Sequence, residues 1–194
     1  MDVRPTTLTG RVVRLEHLTI EHAPALLAAA SPELFELSPQ KPVPWTVEGM
    51  RAELRSVLAL QDSVAFAIVR LDMGAAVGRT TFMDIRPAHR GLEIGRTWIG
   101  AAHQGTQVNP ESKFLMLRHA FEELGAIRVQ LKTDARNLQS QRAIAKLGAV
   151  REGVLRKHMV LPGAVVRDTV MFSITDDDWP VVKQGLVARL GYEP

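Results

Sequence analysis

A short polar segment followed by a helix start is the stretch of this chain best suited to chemistry. It runs from Gln104 to Asn109 and meets Pro110, where an amphipathic helical pattern begins. Asn is a favoured N-cap and Pro a favoured first helical residue, so the pattern predicts a helix start at Pro110. A helix start has unpaired backbone N–H groups and partial positive charge, which suit a phosphate or diphosphate. The segment therefore predicts binding of a phosphorylated cofactor.

The elements that must position this segment follow from the apolar pattern. Alternating residues predict strands at 11–15, 63–71, 76–85, 92–99, 127–132, 150–160 and 165–174. Helical spacing predicts helices at 20–30, 46–60, 110–124, 137–147 and 177–190. Because a strand–helix–strand unit surrounds the polar segment, strands 92–99 and 127–132 are expected to pair in parallel. The fold class is therefore α+β, or α/β with one mixed sheet, in a single domain spanning residues 1–194.

Composition excludes several kinds of site. The 194 residues contain no cysteine, which rules out disulfides, cysteine-ligated zinc and a thiol nucleophile. Six histidines are scattered without metal-ligand spacing, so no metal is expected. The net charge of +3 comes from dispersed basic residues, which favours an anionic ligand over a nucleic-acid partner.

The chain also lacks several familiar signatures. It has neither the glycine pattern of a Rossmann domain nor a P-loop. Its first residues do not form a signal peptide, and no apolar run reaches the length of a membrane helix. We therefore expect a cytoplasmic protein with no membrane partner.

Several blocks, in a fixed order, are together specific. They are Gly78–Thr81, Leu92–Ile99, Gln104–Asn109, Leu117–Ala126, and the stretch from Asn137 through Lys146-Leu147-Gly148 to Glu152–Arg156. In this order they resemble the GCN5-related N-acetyltransferases, in particular the branch that acetylates the N-termini of ribosomal proteins. The likeness covers roughly residues 7 to 175.

The resemblance implies a twisted, mostly antiparallel sheet and acetyl transfer from acetyl-CoA to an amine. It implies that the loop binds the CoA diphosphate through Gln104 and the backbone N–H groups of Gly105, Thr106, Gln107, Val108 and Asn109. Family members carry a small residue where this chain has Gln107, so we expect a positive φ or an altered turn there.

The resemblance also implies which residues contact the pantetheine arm and the thioester of acetyl-CoA. Backbone N–H groups near Trp98, Ile99 and Gly100 would stabilise the oxyanion, with Trp98 itself in the core or a pocket wall. Asn137 would contact the arm, and Ser140 would donate a hydrogen bond to the leaving sulfur; helix capping is the alternative for both. The tyrosine acid of many relatives is not expected, because Tyr192 is the only tyrosine.

Glu93 is the favoured base for deprotonating the attacking amine, directly or through a water. Its neighbours in the strand are apolar, an environment that suits a general base. The alternative is a structural ion pair with Arg79 or Arg96. Asp84 and His103 are weaker candidates.

The acceptor side is predicted from position. Trp45, after the proline-rich stretch 39–44, would wall the acceptor site, and Arg79 and Arg96 would bind a carboxylate or carbonyl of the acceptor. Lys113, Arg142 and Lys146 would meet the 3′-phosphate or adenine of CoA, or lie on solvated helix faces. The acceptor is a peptide N-terminus or a small-molecule amine.

Two further alternatives stay open at this point. The protein could bind acyl-CoA as a sensor without turnover, or transfer another acyl group such as succinyl. A homodimer is also compatible with an exposed sheet edge.

Overall fold

One mixed sheet organises the chain, and the computed structural model describes it over residues 1–38 and 41–192. Within these residues eight strands lie in the order β1-β2-β3-β4-β5-β6-β8-β7. They are β1 (Leu8–Thr9), β2 (Val13–His17), β3 (Val64–Arg70), β4 (Ala75–Arg86), β5 (Gly91–Ile99), β6 (Arg128–Asp134), β7 (Val150–Leu161) and β8 (Val165–Thr175). The helices are α1 (Ala23–Ala29), α2 (Val47–Leu58), α3 (Val108–Arg118), α4 (Leu138–Ala145) and α5 (Trp179–Leu190). Neighbouring strands are antiparallel except β5 and β6, which pair in parallel, so the predicted α+β class and crossover are confirmed.

Boundaries differ from prediction mainly near the N-terminus. The strand expected at 11–15 lies at Val13–His17, after the short unpredicted β1. The helix expected at 20–30 is a 3₁₀ turn, Ile20–His22, followed by α1. Pro24 occupies the first turn of α1, where its missing N–H is tolerated, and so marks the true α-helix start. Residues 39 and 40 of the predicted proline-rich stretch lie outside the described residues.

Helix α3 begins at Val108, so the expected cap at Asn109 is wrong. Gln107 is the N-cap, and its carbonyl accepts from the N–H of Glu111 at 2.9 Å. The Thr106 hydroxyl accepts from the N–H of Val108 at 3.3 Å, which fixes the earlier start. Pro110 sits inside the first turn, where no N–H is needed.

Two apolar cores lie on opposite faces of the sheet. On one face α3 and α5 cover residues such as Leu92, Ile94 and Val129. On the other face α1 and α2 cover Ala67 and Trp98. Alternate residues of β5 therefore belong to different cores, which places the central strand between two helical layers.

Strand β7 forms one edge of the sheet, and the β7–β8 hairpin carries exposed aliphatic side chains, including Val160 at 71% exposure. A homodimer through this edge stays a prediction. None of the helices in the described chain has the length and apolarity to span a bilayer.

Candidate functional site

A cleft opens where β5 and β6 stop pairing. Their parallel ladder joins Gly91–Glu93 to Arg128–Gln130 and goes no further. Strand β5 continues to Ile99 and β6 to Asp134, so the two strands diverge beyond Glu93. The loop 104–107 follows one strand and helix α4 follows the other. The cleft therefore has backbone on both walls and two helix starts near its mouth.

A β-bulge bends β5 along this cleft. In the β4–β5 ladder Arg79 pairs with Trp98 and Thr81 with Gly95, so Thr80 alone faces both Arg96 and Thr97. Arg96 has a φ of 50°, the left-handed conformation that a bulge residue adopts. Such a bulge redirects the peptide groups of the strand beside it.

The predicted phosphate loop is exposed, and its positive φ belongs to Gly105. Gly105 has a φ of 72°, whereas Gln107 has a φ of −75°, so a positive φ at Gln107 is wrong and the altered turn stays a prediction. In the described chain the N–H groups of Gly105, Thr106 and Gln107 donate to no protein acceptor. These amides and the first turn of α3 are thus available to an anion.

The Gln104 side chain is engaged at the mouth of the cleft. Its amide nitrogen donates to the Ile99 carbonyl at 3.0 Å, and its amide oxygen accepts from Gln139 of α4 at 3.1 Å. Gln104 therefore links the end of β5 to α4. Contact between Gln104 and a cofactor stays a prediction.

The end of β5 distinguishes the candidate oxyanion donors. The N–H of Gly100 donates to the Val77 carbonyl at 2.8 Å, so it does not serve as an oxyanion donor and that expectation is corrected. Because successive residues of a strand point their peptide groups in opposite directions, the N–H of Ile99 faces the side that β6 has left.

Glu93 lies buried at the point where the strands diverge. Its side chain is 2% exposed and pairs with the ammonium of Lys132 at 3.0 Å. Gln130 donates to Glu93 Oε2 at 3.0 Å and to Asp84 Oδ2 at 3.1 Å. Among the described residues the charged partner of Glu93 is Lys132, and Arg79 pairs with Glu53 instead, so the ion pair forms with a residue that was not expected.

The acceptor-side expectations divide between aromatic and charged residues. Phe35 packs edge-on against both Trp45 and Trp98, with ring centroids 5.9 and 5.5 Å apart. Trp45 is 37% exposed and Trp98 9%, which makes a wall that runs from the surface to the bulge and places Trp98 as expected.

The Arg79 side chain is buried and already engaged with other groups of the fold. Its guanidinium forms a buried ion pair with Glu53 of α2 and donates to the Arg96 carbonyl at 3.3 Å. Burial lowers the pKa of Arg79, and the Glu53 carboxylate opposes that shift. Acceptor binding by Arg79 or Arg96 stays a prediction.

Comparison with known proteins decides the family. The model of the acetyltransferase (GNAT) domain matches residues 13–150. The chain belongs to the GNAT acetyltransferase family. The curated "Probable N-acetyltransferase YjcK" of Bacillus subtilis is 30% identical over 138 residues, 69% of this chain and 76% of that protein.

Solved structures agree with this family. A "putative acetyltransferase" from T. thermophilus is 44% identical with a TM-score of 0.92, covering 98% of this chain and all of its own. RimJ of Mycobacterium smegmatis, in complex with CoA-disulfide, is 24% identical with a TM-score of 0.78, covering 95% of each chain. The second likeness concerns the fold alone.

In this GNAT protein, the start of α4 carries the pair Asn137 and Ser140. The Asn137 side-chain oxygen accepts from the N–H of Ser140 at 2.9 Å, which is an N-cap. The amide nitrogen of Asn137 is a separate group, so capping and cofactor contact do not compete for one atom. Cofactor contact by Asn137 and sulfur contact by Ser140 stay predictions.

Replacing Asn137 by Asp separates the two roles. We expect unchanged stability, because the carboxylate keeps the capping oxygen and suits the helix start, whereas Asn137→Ala costs about 1 kcal/mol. If the amide nitrogen contacts the cofactor, Asn137→Asp weakens acetyl-CoA affinity at least tenfold. Calorimetric titration measures the affinity and chemical unfolding measures the stability. Equal affinity of Asn137→Asp and wild type would mean that Asn137 caps the helix and does not contact the cofactor.

Lys113 of this acetyltransferase was expected at the cofactor or in solvent, and both expectations are wrong. It is 5% exposed, and its ammonium nitrogen lies 2.6 Å from the Thr97 hydroxyl and 3.2 Å from the Thr80 hydroxyl. Burial lowers the pKa of Lys113 to about 7. Arg142 is exposed on α4, and Lys146 is exposed at the C-cap of that helix.

Tyr192 is used elsewhere in the structure. Its hydroxyl bonds to Glu111 of α3, whose carboxylate also accepts from the N–H groups of residues 11–13. Burial and the Glu111 carboxylate raise the pKa of Tyr192 to about 12. These contacts anchor the C-terminal end to β2 and give Tyr192 a structural role.

Proposed function

We propose that this acetyltransferase moves an acetyl group from acetyl-CoA to a primary amine by direct attack in a ternary complex. The observation that carries the proposal is the divergence of β5 from β6 beyond Glu93. It leaves strand backbone facing a cleft whose mouth holds a helix start with available N–H groups.

The residues at the mouth fit the cofactor. A side chain built on Gly105 would meet nothing within 4 Å, so the loop is open on its outer side. Gly105, Thr106 and Gln107 present N–H donors, and α3 adds its partial positive charge, so a diphosphate is matched in charge and in hydrogen bonding. Thr106 also closes the loop, since its hydroxyl donates to the His103 carbonyl at 2.7 Å.

The chemistry of the chain's own residues follows from their placement. Acetyl-CoA supplies an activated acyl thioester when bound. Glu93 takes a proton from the attacking amine, directly or through a water, while Lys132 and Gln130 hold its carboxylate in place. The N–H of Ile99 stabilises the developing oxyanion, and Ser140 donates a hydrogen bond to the departing sulfur. Phe35, Trp45 and Trp98 wall the acceptor.

The acceptor is a peptide N-terminus or a small-molecule amine. An amine panel with thiol detection tests turnover, and calorimetry with acetyl-CoA tests binding. Thiol release above background with any amine supports the transferase. Binding without release from any amine would indicate a sensor instead, and release only from succinyl-CoA would change the acyl group.

A matched pair of glycine variants tests the loop. Gly105 and Gly191 have φ values of 72° and 65°, and a Cβ on either meets nothing within 4 Å. Alanine at either position therefore has a similar backbone cost, roughly 1 kcal/mol. We expect Gly105→Ala to weaken acetyl-CoA binding tenfold or more in calorimetry, and Gly191→Ala to leave it unchanged. Equal affinities would place the diphosphate elsewhere.

A further inference from the structure

The bulge in β5 is held from both faces of the sheet by buried basic side chains. Thr80 and Arg79 are adjacent in β4, so their side chains point to opposite faces. Lys113 reaches Thr80 and Thr97 from the α3 face. Arg79 reaches the Arg96 carbonyl from the α2 face.

On the α3 face three polar groups form a closed triangle. Lys113 bonds to both threonine hydroxyls, and those hydroxyls lie 2.8 Å from each other. Thr97 also donates to the Gly95 carbonyl at 3.4 Å, a long contact across the bulge. The side chain of Thr97 is therefore fixed in direction, and with it the peptide that follows Arg96.

On the α2 face the anchor is a buried ion pair. Glu53 is 6% exposed and Arg79 2% exposed, and each holds the other beneath α2. The hydrogen bond from Arg79 to the Arg96 carbonyl lies at the bulged residue itself. The two anchors thus grip consecutive residues of β5, Arg96 and Thr97, from opposite sides.

Burial of Lys113 has no stabilising explanation. Its hydrogen-bond partners in the described chain are neutral hydroxyls rather than a carboxylate, and taking an ammonium out of water is costly. The hydroxyls of Thr80 and Thr97 already satisfy each other, so an apolar side chain at 113 would pack there at lower cost. The lysine instead orients the two threonine side chains, because it donates a hydrogen bond to each hydroxyl at the bulge.

We propose that Lys113 and Arg79 are positioning residues that clamp the β5 bulge at Arg96 and Thr97, so that the N–H of Ile99 points into the cleft. The clamp rests on the proposed function, because it matters only if that backbone contacts the acyl group. The clamp holds the backbone N–H donor in the orientation that the thioester needs before the thioester binds. Without the clamp, the strand would have to reorganise during the reaction.

Lys113→Met is the informative variant, since Arg79 cannot be removed without leaving the Glu53 charge buried and unpaired. We expect kcat to fall at least tenfold with little change in KM for acetyl-CoA, and the melting temperature to stay equal or rise. A merely structural lysine predicts the reverse, a lower melting temperature with kcat per folded molecule retained. Lys183→Met, which removes a half-buried lysine of α5 that pairs with Glu122 far from the bulge, is the control, and its kcat should match that of wild type.

Thr97 supplies a second test on the same contact. Thr97→Val keeps the shape but loses the hydroxyl, and we expect it to match Lys113→Met in kcat. Thr97→Ser keeps the hydroxyl and should restore most of the activity. Full activity in Thr97→Val or in Lys113→Met would overturn the clamp.

A readout without turnover separates the clamp from the proposed function. Amide hydrogen exchange of residues 95–99 should be at least fivefold faster in Lys113→Met than in wild type, while exchange in β2 and β3 stays unchanged. If the wild-type protein transfers no acetyl group, this measurement still decides the clamp. Unchanged exchange at 95–99 would overturn it.

Discussion

Replacing Glu93 by Gln is expected to lower turnover on the order of 10²–10⁴-fold, the range for loss of a general base. The amide has nearly the same shape as the carboxylate, so it can keep a hydrogen bond with Gln130 while it cannot take a proton from the amine. Binding of acetyl-CoA should change little, because the cofactor loop lies at the other end of β5. Steady-state kinetics with the best amine, together with calorimetry, measures the two quantities.

Asp84→Asn is the matched comparison, because Asp84 accepts from the same Gln130 amide as Glu93. Its side chain is 46% exposed, whereas that of Glu93 is 2% exposed. We expect the Asp84 variant to stay within a few-fold of wild type. Unchanged turnover in Glu93→Gln across the pH range would remove Glu93 from the mechanism, and an equal loss in both variants would point to the shared glutamine.

The order and type of the main elements could be predicted from the sequence because the apolar alternation is strong there. Strand 127–132 shows this: Val129 and Leu131 fill one core, and the polar residues between them face the other side. The same alternation places Gln130 and Lys132 on the face of Glu93, since parallel pairing aligns those strands. Lys132 could therefore have been identified as the partner of Glu93, and was missed.

Other features of the site depend on contacts between residues far apart in the sequence, which the local residue pattern does not reveal. The bulge at Arg96 arises from a mismatch in the β4–β5 register, and no glycine marks the left-handed residue. Glu53 lies among apolar helix positions, and nothing near it in the sequence indicates that it pairs with Arg79. Likewise Lys113 looks like a solvated helix residue until the sheet brings Thr80 and Thr97 beneath it.

The helix start shows a limit of residue preferences. Asn109 and Pro110 are favourable for a cap and a first turn, yet α3 begins at Val108 because Thr106 and Gln107 capture earlier backbone groups. The prediction of an anion site survives this shift, since a helix start moved by two residues still presents its N–H groups beside the same loop.

The burial of Lys113 should make stability depend on pH in a defined direction. Burial lowers the pKa of Lys113 from 10.5 to about 7, so between these values the unfolded chain binds a proton that the folded chain does not. The free energy of unfolding therefore rises with pH through this window, and below it the full cost of the buried charge is present. The wild type should gain about 3 kcal/mol over Lys113→Met between about pH 7 and about pH 9.5.

Urea unfolding of both proteins at several pH values measures that difference directly. Other groups titrate in the same range, but they are common to both proteins and cancel in the comparison. If the stability of the wild type relative to Lys113→Met rises with pH, Lys113 is buried against neutral partners in solution. Parallel stability curves would mean that the ammonium stays hydrated, and the triangle with Thr80 and Thr97 would then not fix the bulge.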